Sequence, residues 1–552
     1  MKRTPPRPIF AAAAIAVMAA GLHAEVTPGE ILLAELNCVA CHAAAPAVAG
    51  RLASREAPRL AGDGVRIKPQ WLRDFLADPQ KAKPGTLMPD MLHGLTEPAK
   101  SETVEALTHF LMSIQPKDTA EAPAPSAALV NAGRRLYHEV GCVQCHAPGS
   151  APRGKETDES ALAELTALQQ HSVPIGDTAK KLTHSALSLF LRDPLRSRPS
   201  GRMPWLRLTN EESGAIAAYL LRTQPPTVPD DPAFAIDPAK AQLGAGYFVS
   251  LQCAECHRDA AAGIAVDAAR TPARRLESLR ARQPAGCISV RSRSGLPKFE
   301  LTDRQRTVIV AALQNQAVLE TELTPDQQIK RAMTVLNCYA CHARDRRGGP
   351  EGLRRDYLVT VGDADFGDEG RIPPPLTHAG AKFQPAWLRE SILHGSGVRP
   401  YMAARMPIYG EPNVRSLPGL FETADAREDA HPGPPAGAPD EALQETGRSL
   451  IGATGLNCIA CHNFAGGKSP GIPGLDLAGT TRRLKWDWFR RYLLDPQSLR
   501  PGTRMPSFWS DHADGGKKAP PGDPEKQIAA IWAYLSRLDF PRLPDGIIAP
   551  KK

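Results

Sequence analysis

Aromatic residues are scarce in this chain of 552 residues, at 5% of the total. Modules of ordinary size must then find much of their apolar surface elsewhere than in Phe, Tyr and Trp. Mean hydropathy is −0.30. After residue 22 no apolar run approaches the length of a helical bilayer span. Spare cysteines are lacking too. Ten of the eleven fall in one recurring pattern and only Cys287 is left over, so no disulfide framework is available.

Proline is abundant by contrast, with 53 residues, and points to loop-rich modules joined by stiff linkers. The stretches 116–127, 224–238 and 430–441, rich in proline, alanine and acid, read as such linkers. Residues 1–24 read as a signal peptide: Lys2, Arg3 and Arg7 are the basic start, 9–22 the apolar run, and Leu22-His23-Ala24 the cleavage site. A retained anchor is the alternative, but the run is short for a span. The mature chain is expected to be soluble and exported, without a transmembrane anchor. The formal charge of +8 falls to +5 when Lys2, Arg3 and Arg7 are removed, and no nucleic-acid partner is inferred from it.

The pentapeptide C-x-x-C-H occurs five times, at Cys38–His42, Cys142–His146, Cys253–His257, Cys338–His342 and Cys458–His462. This is the attachment signature of haem c. Two thiols form thioethers with the haem vinyl groups, and the histidine supplies one axial nitrogen. On a helical turn, positions i, i+3 and i+4 share a face, so all three groups can meet one side of a flat macrocycle. A single C-x-x-C can instead be half of a zinc site or a redox dithiol. Five copies, each with its histidine, favour five covalently bound haems, held by Cys38, Cys41, Cys142, Cys145, Cys253, Cys256, Cys338, Cys341, Cys458 and Cys461. Their apolar faces would compensate for the few aromatics, and their propionates would offset the basic charge.

The surroundings of the motifs repeat as well. A helical segment leads into each. Four motifs are followed by Met-Pro, at Met88, Met203, Met406 and Met505, with Arg202, Arg405 and Arg504 before three of them. Asp78-Pro79, Asp193-Pro194 and Asp495-Pro496 hold the same offset from their methionines. An amphipathic stretch such as "LTNEESGAIAAYLL" then closes modules one, two, three and five, and module four has no clear equivalent.

These parts resemble the mono-haem class I cytochrome c domain, repeated five times over nearly the whole mature chain. The resemblance implies an all-α fold with domains at 25–117, 126–224, 236–316, 324–430 and 440–543. It implies iron ligation by His42, His146, His257, His342 and His462, with Met88, Met203, Met406 and Met505 in the sixth position. Plain packing is the alternative for any one methionine. Met91, Met402, His93, His184, His378 and His394 are competing ligands. Trp71, Trp387 and Trp488 are expected either to wall a haem edge or to pack in the core, and Lys68, Lys382 and Arg483 either to pair with propionates or to be solvated.

Module three departs from the pattern. Aligning Pro204 with Pro297 sets Leu296 where Met203 stands, and no methionine or histidine lies between Arg258 and Arg331. The haem of His257 is therefore expected to lack the usual ligand. It would be open or water-bound, ligated by Cys287 or Lys298, or reached from another module. The functional expectation is an exported, periplasmic pentahaem cytochrome carrying electrons between redox proteins, such as a membrane quinol-oxidising complex, a dehydrogenase or a terminal reductase. The alternative is a multihaem oxidoreductase with the haem of module three as its catalytic centre, acting on a small inorganic substrate. A gas-binding sensor is a third class.

Overall fold

The computed structural model describes residues 25–62, 66–116, 126–222, 234–261, 273–279, 283–362, 366–395, 397–427, 433, 440–509, 521–537 and 539–549. The expected signal peptide and most of the three expected linkers lie outside them. The fold is all-α and loop-rich. The only strands among the described residues are an antiparallel pair of two residues each, Ala343–Arg344 and Arg347–Gly348. No described helix is long and apolar enough to cross a membrane.

Each module opens on a leading helix, running Pro28–Glu35, Ala127–Glu139, Pro238–Ser250, Pro325–Val335 and Glu441–Ile451 in turn. Each ends on a closing helix, running Ala99–Ile114, Asn210–Leu221, Asp303–Gln314, Leu417–Ala424 and Pro524–Leu535. Local sequence sets several starts. Thr209 with Glu212, Thr302 with Gln305 and Thr324 with Gln327 form reciprocal capping boxes. Asp237 and Asp440 cap with their carboxylates. Module four does have a closing helix. "LPGLFETA" is short and holds proline near its start, where the ring suits a first turn, and its Phe421 is buried.

Leading and closing helices cross at close range. In module two a Cβ on Gly133 would lie 1.8 Å from the carbonyl oxygen of Ala215, and in module five one on Gly447 would lie 2.0 Å from that of Ala530. Only a glycine lets the two backbones approach this far. Modules two, four and five make this pairing within themselves. Modules one and three do not. Gly29 of the first leading helix meets Val308 of the third closing helix, and Gly244 of the third leading helix meets Ala106 of the first closing helix, each at 2.0 Å by the same measure.

The apolar cores follow the exchange. Leu33, Val48 and Leu52 pack with Leu276, Ile288, Leu301 and Ile309. Phe248 and Ala260 pack with Leu72, Leu76, Leu107 and Phe110. The boundaries 25–117 and 236–316 expected from chain order therefore do not enclose packing units here. Residues up to Leu52 pack with 276–319, and 60–114 pack with 234–261. The physical reason is that both crossings use the same glycine-to-carbonyl contact, so the order of parts along the chain does not choose between partners.

Two kinds of contact between modules recur. Asp90 bridges Lys298, and Trp205 bridges Ile408, each two residues beyond the aligned Met88, Leu296, Met203 and Met406. The amide of Lys68 donates to the carbonyl of Lys181 at 2.9 Å, and that of Lys485 to Lys382 at 2.9 Å.

Candidate haem-binding sites

The five C-x-x-C-H segments fold alike. The residue before each first cysteine is left-handed: Asn37 (φ 54), Gly141 (φ 112), Gln252 (φ 67), Asn337 (φ 55) and Asn457 (φ 59). Glycine carries no steric penalty there, and asparagine tolerates the region better than most residues. A tight helical turn follows. The amides of His42, His146, His257, His342 and His462 donate to the carbonyls of Cys38, Cys142, Cys253, Cys338 and Cys458 at 2.9–3.1 Å. Both cysteines and the histidine of each motif thus lie on a single turn.

Each histidine is held by its other nitrogen. Nδ1 lies 2.7 Å from the Arg274 carbonyl oxygen for His42, 3.0 Å from Val173 for His146 and 2.9 Å from Pro58 for His257. For His342 it lies 2.7 Å from Pro374, and for His462 3.0 Å from Leu475. A carbonyl can only accept, so Nδ1 carries the proton and Nε2 keeps its lone pair for a metal. Burial also lowers the pKa of His146, His257, His342 and His462, which favours the neutral ring.

The methionines sort by module. Met505 and His462 line one apolar cavity with Cys458, Phe489, Leu493 and Ile531. Met203 packs on the core that contains Cys142 and Val143. Met88 packs on the core with Cys253 and Ala254, not on the one with Cys38. Cys287 packs with Cys38 and Val39. Met406 sits between Arg405 and the Ile408 bridge at the boundary with module two. Three of the competing histidines are engaged elsewhere. His93 Nε2 is 3.0 Å from the Leu296 carbonyl, His184 Nε2 is 2.9 Å from that of Gly214, and His394 faces Glu390 at 3.9 Å. Lys298 Nζ is 3.8 Å from Glu300.

The arginines before the methionines serve joints between modules. Arg202 pairs with Glu35 at 3.0 Å, Arg405 takes both oxygens of Glu212, and the Arg504 amide donates to Glu369 at 3.0 Å. Trp71 is buried under Lys181, whose Nζ stands 4.5 Å from its ring centre, and Lys382 stands likewise 4.2 Å from Trp488.

Near His146, and near His342 and His462, lie clusters of basic side chains, mostly half-buried, with few carboxylates beside them. Lys83, Lys181 and Arg198 crowd one another near His146, and Lys382, Arg399, Arg483 and Arg500 do so between modules four and five. Burial first, then like charge, pushes Lys83 down to about 8, Lys382 to about 7 and Arg483 to about 10. Glu369 pairs with Arg500 at 3.2 Å and also acts on Lys382 and Arg399, and Asp476 acts on Arg483. Such groups favour an anion beyond the carboxylates that the described residues supply. Of the basic residues expected from sequence, Lys382 and Arg483 belong here. Lys83, Lys181, Arg198 and Arg399 were not foreseen, because a lone basic residue in a loop carries no signal of burial.

Residues 130–224 match the family model described as cytochrome c. The match spans module two, with Cys142, Cys145, His146 and Met203, and supports a c-type cytochrome with covalently bound haem c and a role in electron transfer. No curated protein and no solved structure matches the chain. The residues present fit the group: paired thiols beside a histidine whose Nε2 keeps its lone pair, an apolar slot, and half-buried basic side chains suited to propionates.

Proposed function

We propose that the chain is an exported pentahaem c-type cytochrome that carries electrons between redox protein partners. The observation that carries this reading is that all five motifs fold to the same turn, each with Nδ1 tied to a carbonyl. Haem c in these sites would supply one-electron chemistry at iron. The cysteine pairs would hold it covalently. The five histidines would ligate the iron, joined at four sites by Met88, Met203, Met406 and Met505. A histidine and a methionine on the same iron would leave no place for substrate and would favour electron transfer over substrate binding. The apolar lining, such as Phe489 and Ile531 in module five, keeps water out.

Two pairs of sites adjoin. Asn37 Nδ2 stands 3.9 Å from Cys256 Sγ, and Asn337 Nδ2 donates to Cys145 Sγ at 3.3 Å. The motif of His42 is thus beside that of His257, and the motif of His342 beside that of His146, which suits a conduit. The test is the mass of the exported product together with a reductive titration. Five haem masses and uptake of five electrons are expected, and a product without added haem ends the reading. A second reading, an oxidoreductase with an open haem as catalytic centre, has one support: a site with no methionine. Carbon monoxide binding to one ferrous haem would favour it.

A further inference from the structure

The exchange between modules one and three bears on which iron each ligand meets. The crossings of their leading and closing helices repeat the geometry made within modules two and five, but between different parts of the chain. The loops beyond the motifs cross as well. His42 is tied to Arg274 of module three, and His257 to Pro58 of module one. The Leu276 amide donates to Ala43 at 2.9 Å, and Asp259 accepts from the amides of Leu60 and Ala61 at 2.6 and 2.9 Å. The third leading helix is fixed to the first closing helix at its polar edge: the Asp237 amide donates to His109 Nδ1 at 3.0 Å, and Lys240 Nζ stands 3.9 Å from Glu105. Leading helix, closing helix, proximal carbonyl and apolar core all agree on the same partners.

We infer that modules one and three exchange their distal halves, so that Met88 is the sixth ligand of the haem held by Cys253, Cys256 and His257. The haem without methionine is then the one at Cys38, Cys41 and His42. This rests on the haem reading above and reverses the assignment that chain order gives. The segment facing His42 runs through 274–323, which contains neither methionine nor histidine. A shortage apparent in module three is passed to module one. The site that most resembles an ordinary cytochrome in its own stretch of sequence becomes the exceptional one.

The decisive experiment removes one haem at a time. Cys38→Ser with Cys41→Ser deletes the haem of His42, and Cys253→Ser with Cys256→Ser deletes that of His257. Mass spectrometry confirms one haem fewer in each. The readout is the number of iron-bound methionine methyl resonances in the reduced protein, with the weak ferric-thioether absorption as a check. Deleting the haem of His257 should remove one resonance, and deleting that of His42 none. A resonance lost with the haem of His42 overturns the inference. A second measurement needs no variant. Carbodiimide coupling of the intact haem-loaded protein should join Lys240 to Glu105, whereas couplings confined within 25–117 and within 236–316 would overturn the exchange. A haem count below five tells against the pentahaem reading and leaves the coupling result untouched, so the two failures can be told apart.

Discussion

Gly29 lies against the carbonyl oxygen of Val308, in the crossing that Gly133 makes with Ala215 and Gly447 with Ala530. The contact is a lock in which backbone meets backbone, and a side chain of any size forces the helices apart. Gly133→Ala should therefore destabilise its module despite the better helix propensity of alanine. The expected net cost is about 1–3 kcal/mol, as for overpacking elsewhere. Gly50 sits in the helix Pro46–Leu52 with nothing within 4 Å of a Cβ, so Gly50→Ala should be neutral or slightly stabilising. Thermal unfolding of the two variants compares them directly. Equal midpoints would show that the crossing tolerates a methyl.

The turn before each motif gives a second expectation. Asn457 holds φ 59 immediately before Cys458. Asn457→Val places a β-branched side chain in the left-handed region and should cost about 1–2 kcal/mol. Asn457→Gly removes the steric objection and should leave the module near its original stability. The denaturant midpoint, followed together with the haem content of the purified protein, separates the cases. A valine variant as stable as the glycine variant would show that backbone strain at this turn has no weight.

Much of this arrangement was legible in the sequence, because the information was local. C-x-x-C-H fixes a turn, Thr-x-x-Glu or Thr-x-x-Gln starts a helix, and a Met-Pro loop recurs at a set offset from Asp-Pro. The closing helix of module four was missed because eight residues with a proline and a glycine show little periodicity. The pairing of modules one and three was hidden for a different reason. Gly29 and Gly244 sit at equivalent places, nine residues before Cys38 and Cys253, so local sequence does not say which closing helix each one meets. Choice of partner resides in long-range packing such as that of Leu52 with Leu276 and of Phe248 with Phe110. The basic clusters were illegible for the same reason.

Arg405 joins module four to module two by holding both carboxylate oxygens of Glu212, at 2.8 and 2.5 Å. Glu212 also closes the capping box on Thr209. Glu212→Gln keeps an acceptor for the cap and loses the charge. The pair is partly exposed, so the cost should be about 0.5–1 kcal/mol. The hydrogen bond from Arg405 is the main cause that lowers the Glu212 pKa. The folded state therefore binds that proton less readily than the unfolded chain. The stabilisation is present above the ordinary carboxylate range and is lost as pH falls through the lowered value. Stability measured against pH should show the difference between wild type and Glu212→Gln shrinking in acid. A difference that stays constant to low pH would mean that the ion pair is not its source.

Lys382 offers the most direct probe of what the cation clusters face. It is half-buried beside Arg399, Arg483 and Arg500, and lies over Trp488. Its neighbours act on both His342 and His462: burial first lowers the pKa of each ring, and Arg399 adds to this at the first and Arg483 at the second. If these cations balance propionates, each also raises the local potential and favours the ferrous state, which carries one positive charge fewer. A propionate beside Lys382 would hold its proton in place, and Lys382→Met should then stabilise the ferric form. A charge removed at the edge of a partly screened site is worth on the order of 1 kcal/mol, or tens of millivolts for a one-electron couple. In a spectroelectrochemical titration one or two of the five components should move to lower potential and the others stay in place. Lys181→Met should move a different component, because its cluster lies near His146. Identical titrations for wild type and both variants would separate the cations from the redox centres, and their burial would then need another cause.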